Sequence, residues 1–339
     1  MTDSPVPADR IGVVVIGRNE GERLKAALAA IRGMPNIAYV DSGSTDGSQD
    51  HARAIGVEVV ELPVPPKFTA ARARNAGVEA LLARNPMIDR IQMIDGDCVV
   101  ERGWIAAASA ALDADPRLAG VFGRRQEIAP DRSVYNRFCD NEWNTPIGPA
   151  LATGGDAMFR VTALRQVGGY APELIAGEEP DMCLRMGRHG WRFLRIDAPM
   201  TRHDANILRF GQWWQRARRA GYAATSHVLR HGRASLPGDI GQVVRMLLWG
   251  VALPALILLL LVLALVSSHF ILAALLVLAI YPLQWLRQAR SERASWPSVR
   301  GALAAGGLRV LHQFAAVSGL TSAVADCLVR RDRKIMEYR

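Results

Sequence analysis

The sequence predicts an α/β fold, in which a mostly parallel sheet carries helices on both faces and is followed by a helical hairpin that crosses a membrane. Two observations support this prediction. From residue 11 to residue 95, short apolar runs alternate with segments of helical period, which is typical of a parallel sheet covered on both sides. Further along, two uncharged apolar runs at 247–266 and 270–286 approach the roughly 20 residues that cross a hydrocarbon core.

The elements of the sheet can be assigned in order from Ile11. The run "IGVVVIG" is rich in β-branched residues and predicts the first strand. In the segment after it, Leu24, Leu28 and Ile31 recur at helical spacing and predict a helix. The same reasoning predicts further strands at 37–40, 57–62 and 90–94, with helices at 45–55 and 70–83.

Acidic side chains stand where two of the predicted strands end. Asp41 ends the second strand in "VDSGSTDGS", and Asp95 and Asp97 end the fourth in "IDGDC". Ligands of such sheets bind beyond the carboxyl ends of the strands. Paired carboxylates suit Mg²⁺ or Mn²⁺, with water and substrate phosphates completing the coordination. The pattern therefore predicts a metal-assisted ligand site, although the segment after Asp41 alone is also compatible with a capped turn.

The net charge limits the expected binding partners, and the cysteine pattern limits the expected compartment and metal sites. The formal net charge is +9, with arginines concentrated between residues 185 and 233 and beyond the apolar runs. The neighbouring apolar runs favour anionic lipid or a phosphorylated substrate over nucleic acid as the reason for this charge. The four cysteines are scattered without metal-ligand spacing, which predicts a reduced compartment and no zinc site.

Flanking charges predict how the hairpin is oriented. Arg245 precedes the first apolar run, and Arg287, Arg290 and Arg293 follow the second, so the positive-inside rule places both ends in the cytoplasm. The first residues lack the apolar core of a secretory signal. We therefore expect a protein of the cytoplasmic membrane whose catalytic domain faces the cytosol. A buried hairpin in a soluble core is the alternative.

Two helical segments flank the hairpin. In "RFGQWWQRARRAGYA" an apolar stripe alternates with arginines, a pattern typical of a helix in a membrane interface; the stripe comprises Phe210, Trp213, Trp214 and Ala217. The alternative is a helix that packs its aromatic residues on the catalytic domain. Residues 299–330 predict one more helix, lying along the membrane or against the hairpin, and the terminal "RRDRK" favours anionic lipid heads.

Several ordered motifs between residues 11 and 203 resemble the family 2 glycosyltransferases, which have the Rossmann-like GT-A fold. They are "VVVIGRNE", "VDSGSTDGS", "ARARNAG", "DGDC", "GGDAMFRVTALRQVGGYAPEL" and "GEEPDMCLRMGRHGW". The resemblance implies a metal-dependent, inverting enzyme that uses Mg²⁺ or Mn²⁺. It would move a sugar from a nucleotide-sugar donor to a hydroxyl of a membrane lipid or lipid-linked glycan, in polysaccharide or glycolipid synthesis.

The resemblance also implies roles for individual residues. In the donor site, Asp41 would bind the nucleotide base and Asp95 would lie near the ribose and diphosphate, together with Asn19, Glu20 and Arg74. Asp97 would hold the metal, and His203 would add a metal ligand or phosphate contact unless it is structural. The position of the family's catalytic base is occupied by Glu179, and Glu178 and Asp181 lie close enough to compete. The residues predicted to bind the acceptor are Gly154, Gly155, Asp156, Trp213 and Arg216.

The predicted organisation has five parts. A flexible N-terminus at 1–10 precedes the catalytic domain at 11–205, which has a nucleotide-sugar half at 11–125 and an acceptor half at 126–205. An amphipathic interfacial region at 206–240, the hairpin at 246–287 and a cytoplasmic or membrane-surface tail at 288–339 follow. Since all the strand-end carboxylates precede Ser235, truncation after that residue is expected to release a soluble domain that still binds nucleotide.

Three other functions compete with this prediction. A nucleotidyltransferase would also need paired aspartates, but it does not explain the segment around Glu179 followed by membrane helices. A processive polysaccharide synthase would need a conduit, for which two spans are few unless several chains assemble. A catalytically degenerate membrane scaffold would have no need to keep Asp41, Asp95 and Asp97.

Overall fold

A computed structural model describes residues 8–63 and 68–329 of the chain. The described residues divide into two compact units. We call them the α/β unit, from Met1–Ala129 and Glu142–Asn206, and the helical unit, from Pro130–Asn141 and Ile207–Arg339. Most of the predicted flexible N-terminus and all of "RRDRK" lie outside the described residues.

In the described part of the α/β unit, nine strands form one sheet. They are β1 (Ile11–Gly17), β2 (Ile37–Asp41), β3 (Glu58–Glu61), β4 (Arg90–Asp95), β5 (Cys98–Val100), β6 (Leu118–Glu127), β7 (Gly148–Ala150), β8 (Ala157–Arg160) and β9 (Arg192–His203). Their order is β3-β2-β1-β4-β8-β6-β9-β5, and β7 also pairs with β9.

The two halves of the sheet differ in direction. Strands β1 to β4 are parallel, as the alternation of strands and helices predicts. Beyond β4 the sheet is mixed: β8 is antiparallel to β4 and β6, β6 and β9 are parallel, and β5 and β7 are antiparallel to β9. The strict alternation ends there because β5 follows β4 after two residues, without a helix between them.

Helices cover both faces of the sheet. The helices of the α/β unit are α1 (Glu22–Ala30), α2 (Ser48–Ala54), α3 (Ala70–Arg84), α4 (Trp104–Ala114), α6 (Val161–Gln166) and α7 (Glu178–Arg188), whereas most of α5 (Val134–Trp143) belongs to the helical unit. Successive residues of β1 point to opposite faces, so Val14 joins a core with Leu81 and Met182, from α3 and α7. Val13 and Val15 belong to a second core with residues of α1 and α4, such as Leu24 and Trp104.

The helical unit continues with α8 (Phe210–His231), α9 (Pro237–Leu247), α10 (Leu253–Leu263), α11 (His269–Leu278), α12 (Ile280–Glu292) and α13 (Val299–Val329). Helix α13 packs along both α8 and α12. A Cβ on Gly221 would overlap the backbone of Ala316, and one on Gly319 would overlap the carbonyl of Arg218. The backbones of α8 and α13 therefore approach closely because these two positions are glycine.

Two helices within the described residues, Pro237–Leu263 and His269–Ser295, are long and apolar enough to be candidate membrane spans. Only 6% of the apolar window of each is buried, which argues against a hairpin inside a soluble core. Both helices extend beyond the predicted hairpin at 246–287. The first extends because a short π-helical turn, Leu248–Ala252, joins α9 to α10 without interrupting the helix, and the second because α12 continues to Glu292 and into a 3-10 turn that ends at Ser295.

The apolar stripe of α8 is covered at two of its four positions, Trp213 and Ala217. Trp213 is 1% exposed, stacks on Tyr135 and meets the ring of Phe138 edge-on, and Ala217 is also buried. Trp213 thus packs against α5 of the same unit, whereas Phe210 is 45% exposed and Trp214 is half-buried, so contact of the stripe with a membrane interface stays a prediction. A truncation after Ser235 would remove α13 and uncover α8, so the predicted soluble fragment is not supported.

Candidate functional site

The predicted donor carboxylates meet at one edge of the sheet. Strands β2, β1 and β4 are adjacent and parallel, with Asp41 opposite Gly17 and Asp95 opposite Ile16. The loops after these three strands therefore open on the same side. This juxtaposition follows from the strand order and agrees with the prediction from the sequence.

The carboxylate of Asp41 shapes the loop that follows β2. One oxygen accepts a hydrogen bond from the Tyr39 hydroxyl at 2.8 Å, and the other accepts from the amides of Gly43 and Ser44 at 2.8 Å and from the Gln49 side chain at 2.6 Å. Burial opposes its charge, yet hydrogen bonds from Ser44, Gln49 and Tyr39 outweigh burial and lower the pKa of Asp41. Because this side chain is buried and satisfied by its own loop, its contact with a nucleotide base stays a prediction.

Asn19 and Glu20 connect the end of β1 to neighbouring loops. Asn19 has a positive φ of 55°, and its side-chain oxygen accepts from the amide of Thr45 at 2.8 Å. Glu20 is buried and lies 3.0 Å from the guanidinium of Arg23. A Cβ on Gly96, in the turn after β4, would come within 3.1 Å of the Glu20 side chain. Both residues thus fix the backbone around the predicted donor site.

Asp95 is held by two arginines, one on each carboxylate oxygen. Oδ1 lies 2.9 Å from Nη2 of Arg74, and Oδ2 lies 3.0 Å from Nη2 of Arg125. Burial alone would raise the pKa of Asp95, but the charges of Arg74 and Arg125 hold it well below its usual range. Asp95 is therefore an ionised carboxylate in a fixed orientation.

The acceptor-side segment is built into the same cluster. Asp156 is fully buried and accepts hydrogen bonds from the amide of Asp95 at 3.0 Å, from Nε of Arg125 at 3.0 Å and from the Thr201 hydroxyl at 2.7 Å. It thus holds the end of β4 and offers no surface to a ligand in this structure. A direct acceptor contact of Asp156 is not supported.

The two glycines before Asp156 differ in their surroundings. A Cβ on Gly155 would lie 2.7 Å from Nη2 of Arg74 and 2.9 Å from Oδ2 of Asp95, so the backbone approaches these side chains as closely as only glycine allows. A Cβ on Gly154 would meet no heavy atom of the described residues within 4 Å. The predicted close backbone approach thus occurs at Gly155, and the acceptor contacts of both glycines stay predictions.

Asp97 and His203 form the candidate metal centre. Nε2 of His203 lies 3.4 Å from Oδ1 of Asp97, and these atoms and the Cys98 sulfur all lie within 4.8 Å of one another. Burial lowers the pKa of His203, so its ring is neutral, which is the form that binds a metal. Burial also raises the pKa of the Cys98 thiol well above its usual value, so the sulfur is a weak ligand. One carboxylate and one neutral imidazole fit a divalent cation that takes further ligands from substrate and water.

A second group of potential metal ligands lies beside the guanidinium of Arg125, which makes it a poor cation site. Asp95, Cys98 and Asp156 also have ligand atoms within 4.8 Å of one another. However, Arg125 lies 3.0 Å from Asp95 and 2.7 Å from Asp156, so its guanidinium already supplies the positive charge there. Of the two groups, Asp97 and His203 are therefore the better candidates for holding a cation.

The three carboxylates of α7 have different environments. Oε1 of Glu178 and Oε1 of Glu179 lie 2.9 Å and 2.8 Å from Nη1 of Arg74. Asp181 is fully buried and lies 2.8 Å from Nε of Arg185, whose other nitrogens donate to the carbonyls of Val167 and Gly169. Arg185 thus anchors α7 to the loop after α6, and the Asp181 carboxylate holds the Arg185 guanidinium in place.

Glu179 is the carboxylate best suited to accept a proton. Its side chain is 15% exposed, compared with 5% for Glu178 and 0% for Asp181. Burial, followed by the charge of Glu178, raises the pKa of Glu179 to about 7 despite the opposing charge of Arg74. A proton acceptor with a pKa near neutrality matches the usual requirement of general base catalysis.

Sequence reasoning missed three residues of this cluster. Arg125 lies over the ring of Trp143 at 5.5 Å, and Trp143 meets the ring of His203 edge-on at 4.8 Å. Tyr170 lies beneath the guanidinium of Arg74 at 5.4 Å. Tyr170 lies within "GGDAMFRVTALRQVGGYAPEL", but its role is not evident from that motif, and Arg125 and Trp143 lie outside the resembling motifs; the pairing of distant strands and loops brings all three to the cluster.

The remaining predicted acceptor residues, Trp213 and Arg216, belong to the helical unit. Trp213 is 1% exposed, so its predicted contact with an acceptor is not supported. Arg216 is half-buried on the same helix, and its acceptor contact stays a prediction.

Comparison with known proteins identifies the family. The model of "Glycosyl transferase family 2" matches residues 12–168, and that of "Glycosyl transferase family group 2" matches residues 135–286. The pre-mycofactocin glycosyltransferase of Mycobacterium tuberculosis is 24% identical over 238 residues, which are 67% of this chain and 49% of that protein. Succinoglycan biosynthesis protein ExoA of Rhizobium meliloti is 24% identical over 200 residues, which are 55% of this chain and 60% of that protein. The chain thus spans about half the length of the first relative and three fifths of the second.

A solved structure shares the fold. The mannosyltransferase of Pyrobaculum calidifontis, determined in complex with GDP-Man and Mn²⁺, superposes with a TM-score of 0.57 at 19% identity, covering 94% of this chain and 87% of that one. The strand order, the carboxylates at the strand ends and the matched family models agree: the chain is a member of glycosyltransferase family 2 and has the GT-A fold.

Proposed function

We propose that this protein is an inverting glycosyltransferase that moves a sugar from a nucleotide-diphosphate donor to a hydroxyl of a membrane-associated glycan or lipid. The observation that carries the proposal is the sharing of Arg74 between Asp95 and Glu179, at 2.9 Å and 2.8 Å, which joins the predicted donor site to the predicted base. The names of the relatives support a role in glycan synthesis, since one acts in succinoglycan biosynthesis.

On the donor side, Asp97 and His203 would hold Mg²⁺ or Mn²⁺. When bound, the cation stabilises the negative charge that develops on the departing diphosphate. The neighbouring mannosyltransferase was solved with GDP-Man and Mn²⁺, which supports a divalent ion without distinguishing the two metals. Asp95 and the loops after β1 and β2, with Asn19, Glu20 and Asp41, would enclose the nucleotide.

On the acceptor side, Glu179 would take the proton of the attacking hydroxyl. The acceptor oxygen forms a bond to the anomeric carbon while the bond from that carbon to the diphosphate oxygen breaks, and the diphosphate leaves with the bonding electrons. Because this displacement needs no covalent enzyme intermediate, it inverts the anomeric centre. The raised pKa of Glu179 supports its role as the proton acceptor.

The assignment of the base is tested with three matched variants of the full chain. Glu179→Gln should bind donor nearly as well as the wild type and lose roughly 10²–10⁴ in transfer rate, the usual contribution of a positioned proton acceptor. Glu178→Gln should lose much less, and Asp181→Asn should mainly lower stability because its carboxylate is bonded to Arg185. Single-turnover transfer at saturating donor separates the chemical step from binding. A large rate loss in folded Asp181→Asn, with little in Glu179→Gln, would contradict the assignment.

Membrane attachment is proposed from the two candidate spans and the arginines beside them, Arg245, Arg287, Arg290 and Arg293. The protein would reside in the cytoplasmic membrane with its catalytic domain facing the cytosol. In membrane vesicles of known orientation, the protein should resist alkaline extraction, and protease added to the cytosolic side should cleave the α/β unit. Protection of that unit from cytosolic protease would refute the orientation.

A further inference from the structure

One buried guanidinium contacts three carboxylates in the α/β unit. Arg74 is 3% exposed, and its Nη1 lies 2.9 Å from Glu178 and 2.8 Å from Glu179, whereas its Nη2 lies 2.9 Å from Asp95. The side chain thus reaches from α3 to both α7 and β4. Arg74 therefore joins the predicted base directly to the donor-site carboxylate.

Charge in this cluster is unbalanced. Four carboxylates, those of Asp95, Asp156, Glu178 and Glu179, share two guanidinium groups, those of Arg74 and Arg125. Arg125 contacts Asp95 and Asp156 and leaves Glu178 and Glu179 to Arg74 alone. A pair of neighbouring carboxylates with one cation between them is sensitive to the loss of that cation.

We propose that Arg74 is a positioning residue for the reaction, which favours the ionised form of the Glu179 carboxylate and ties its place to that of Asp95. This inference rests on the proposed function, because it takes Glu179 as the base. The sequence predicts that Arg74 contacts the donor. The inference adds a second role, in which Arg74 affects the rate of the chemical step through Glu179. The two ends of the planar guanidinium suit this task, since a lysine ammonium is a compact charge that cannot span both carboxylates with the same geometry.

The direction of the pH effect follows from the groups that face Glu179. The titratable and charged groups around it on α7, α3, β4 and the loop before α7 are Glu178, Cys183, Arg74, Asp95 and Tyr170. Burial raises the pKa of Tyr170 and of Cys183, so both are neutral near pH 7. Among these groups Arg74 carries the positive charge, and its removal would raise the pKa of Glu179 further. The base would then be ionised only at higher pH.

The test compares Arg74→Gln, Arg74→Lys and the control Arg72→Gln in the full chain, using single-turnover transfer at saturating donor across the pH range. Arg72 lies on the same helix and donates to the carbonyl of Pro63, so its loss removes an equal charge outside the cluster. In Arg74→Gln the midpoint of the acidic limb should rise by about one pH unit or more. The rate at pH 7 should fall roughly 10-fold or more, with partial recovery at higher pH, and Arg72→Gln should match the wild type.

Arg74→Lys separates charge from position. It should keep a midpoint close to the wild-type value, because a cation remains, but its plateau rate should be lower because the ammonium does not span Glu179 and Asp95. If Arg74→Gln does not fold, the test rests on Arg74→Lys. A plateau rate of Arg74→Lys equal to that of the wild type would overturn the inference. In folded Arg74→Gln, an unshifted midpoint would also overturn it.

Glu179→Gln distinguishes a failure of the proposed function from a failure of the inference about Arg74. If that variant retains the wild-type rate, the proposed base is wrong whatever Arg74 does. If it loses the rate while the midpoint of Arg74→Gln stays unshifted, only the inference about Arg74 fails. When Arg74→Gln is combined with Glu179→Gln, it should cause little further loss of transfer rate. Arg74 acts through the Glu179 carboxylate, which the double variant lacks.

Discussion

Replacing Arg125 with methionine should destabilise the α/β unit, because it leaves the carboxylate of Asp156 buried without its cation. Asp156 is 0% exposed at its side chain, whereas Arg125 is 17% exposed and lies 2.7 Å from it. Removing one partner of a buried ion pair usually costs about 3–5 kcal/mol. The remaining hydrogen bonds from Thr201 and from the Asp95 amide, at 2.7 Å and 3.0 Å, favour the lower part of that range.

A double variant shows whether the loss comes from the uncompensated charge. Arg125→Met combined with Asp156→Asn removes both charges and retains an oxygen that accepts from the Asp95 amide. Most of the stability should return, because replacing both members of a buried pair is far less costly than removing one. Asp95 keeps its ion pair with Arg74 in both variants.

Hydrogen–deuterium exchange of the full chain gives a local measurement of this effect. The protected amides of β4 and β8 report the free energy of opening of that part of the sheet, independently of the helical unit. We expect a decrease of about 3–5 kcal/mol in the single variant, limited by the global stability of the unit, and recovery of most of it in the double variant. A single variant as protected as the wild type, or a double variant less protected than the single one, would refute the reasoning.

Three further predictions concern the metal, the pH and the helical unit. Asp97→Asn should keep the fold but lose Mn²⁺ binding in a titration, together with most divalent-dependent turnover, because the amide lacks the charge that attracts the cation; unchanged Mn²⁺ affinity would contradict the assignment. Because burial raises the pKa of Glu179 to about 7, above its unfolded value of about 4.3, the unfolded chain binds fewer protons between these values. The contribution of Glu179 to the stability of the α/β unit should therefore fall as pH rises from about 4 to 7, while the lowered pKa of His203 contributes with the opposite sign. In denaturation measured across this range, the stability of Glu179→Gln relative to the wild type should increase as pH rises, and a constant difference would contradict the raised pKa of Glu179. Gly319→Ala should lower the melting temperature because its Cβ would overlap the Arg218 carbonyl, whereas Gly307→Ala, with ordinary contacts to Trp285, should not; equal melting temperatures would contradict the close packing of α8 and α13.

The first half of the fold could be predicted because its signals are local. Strands β1 to β4 each follow from an apolar run bounded by a helix-period segment, and parallel pairing then brings Asp41 and Asp95 to one edge. The second half could not be predicted in the same way. Its order depends on pairing between distant strands, such as β6 with β9, and the apolar runs do not specify those pairings.

The site shows the same division between local and distant information. Arg125 comes from β6 and reaches Asp95, 30 residues away in sequence, without a motif to mark it. The stripe containing Trp213 has the same helical period whether it faces a membrane or another helix, and the structure packs Trp213 against residues of α5. Among the α7 carboxylates, the spacing of Asp181 and Arg185 at i and i+4 is a local signal of an ion pair that sequence reasoning missed and that favours a structural role for Asp181.

Inversion at the anomeric carbon follows directly if a hydroxyl activated by Glu179 displaces the nucleotide diphosphate in one step. It can be measured by NMR on the full chain in membranes, using a panel of α-linked nucleotide-sugars labelled with ¹³C at the anomeric carbon and a membrane lipid extract as the source of acceptors. The donor that is consumed should give a β-linked product in the presence of Mn²⁺, and Glu179→Gln should form that product far more slowly. A product that retains the α configuration would contradict single displacement with Glu179 as the base.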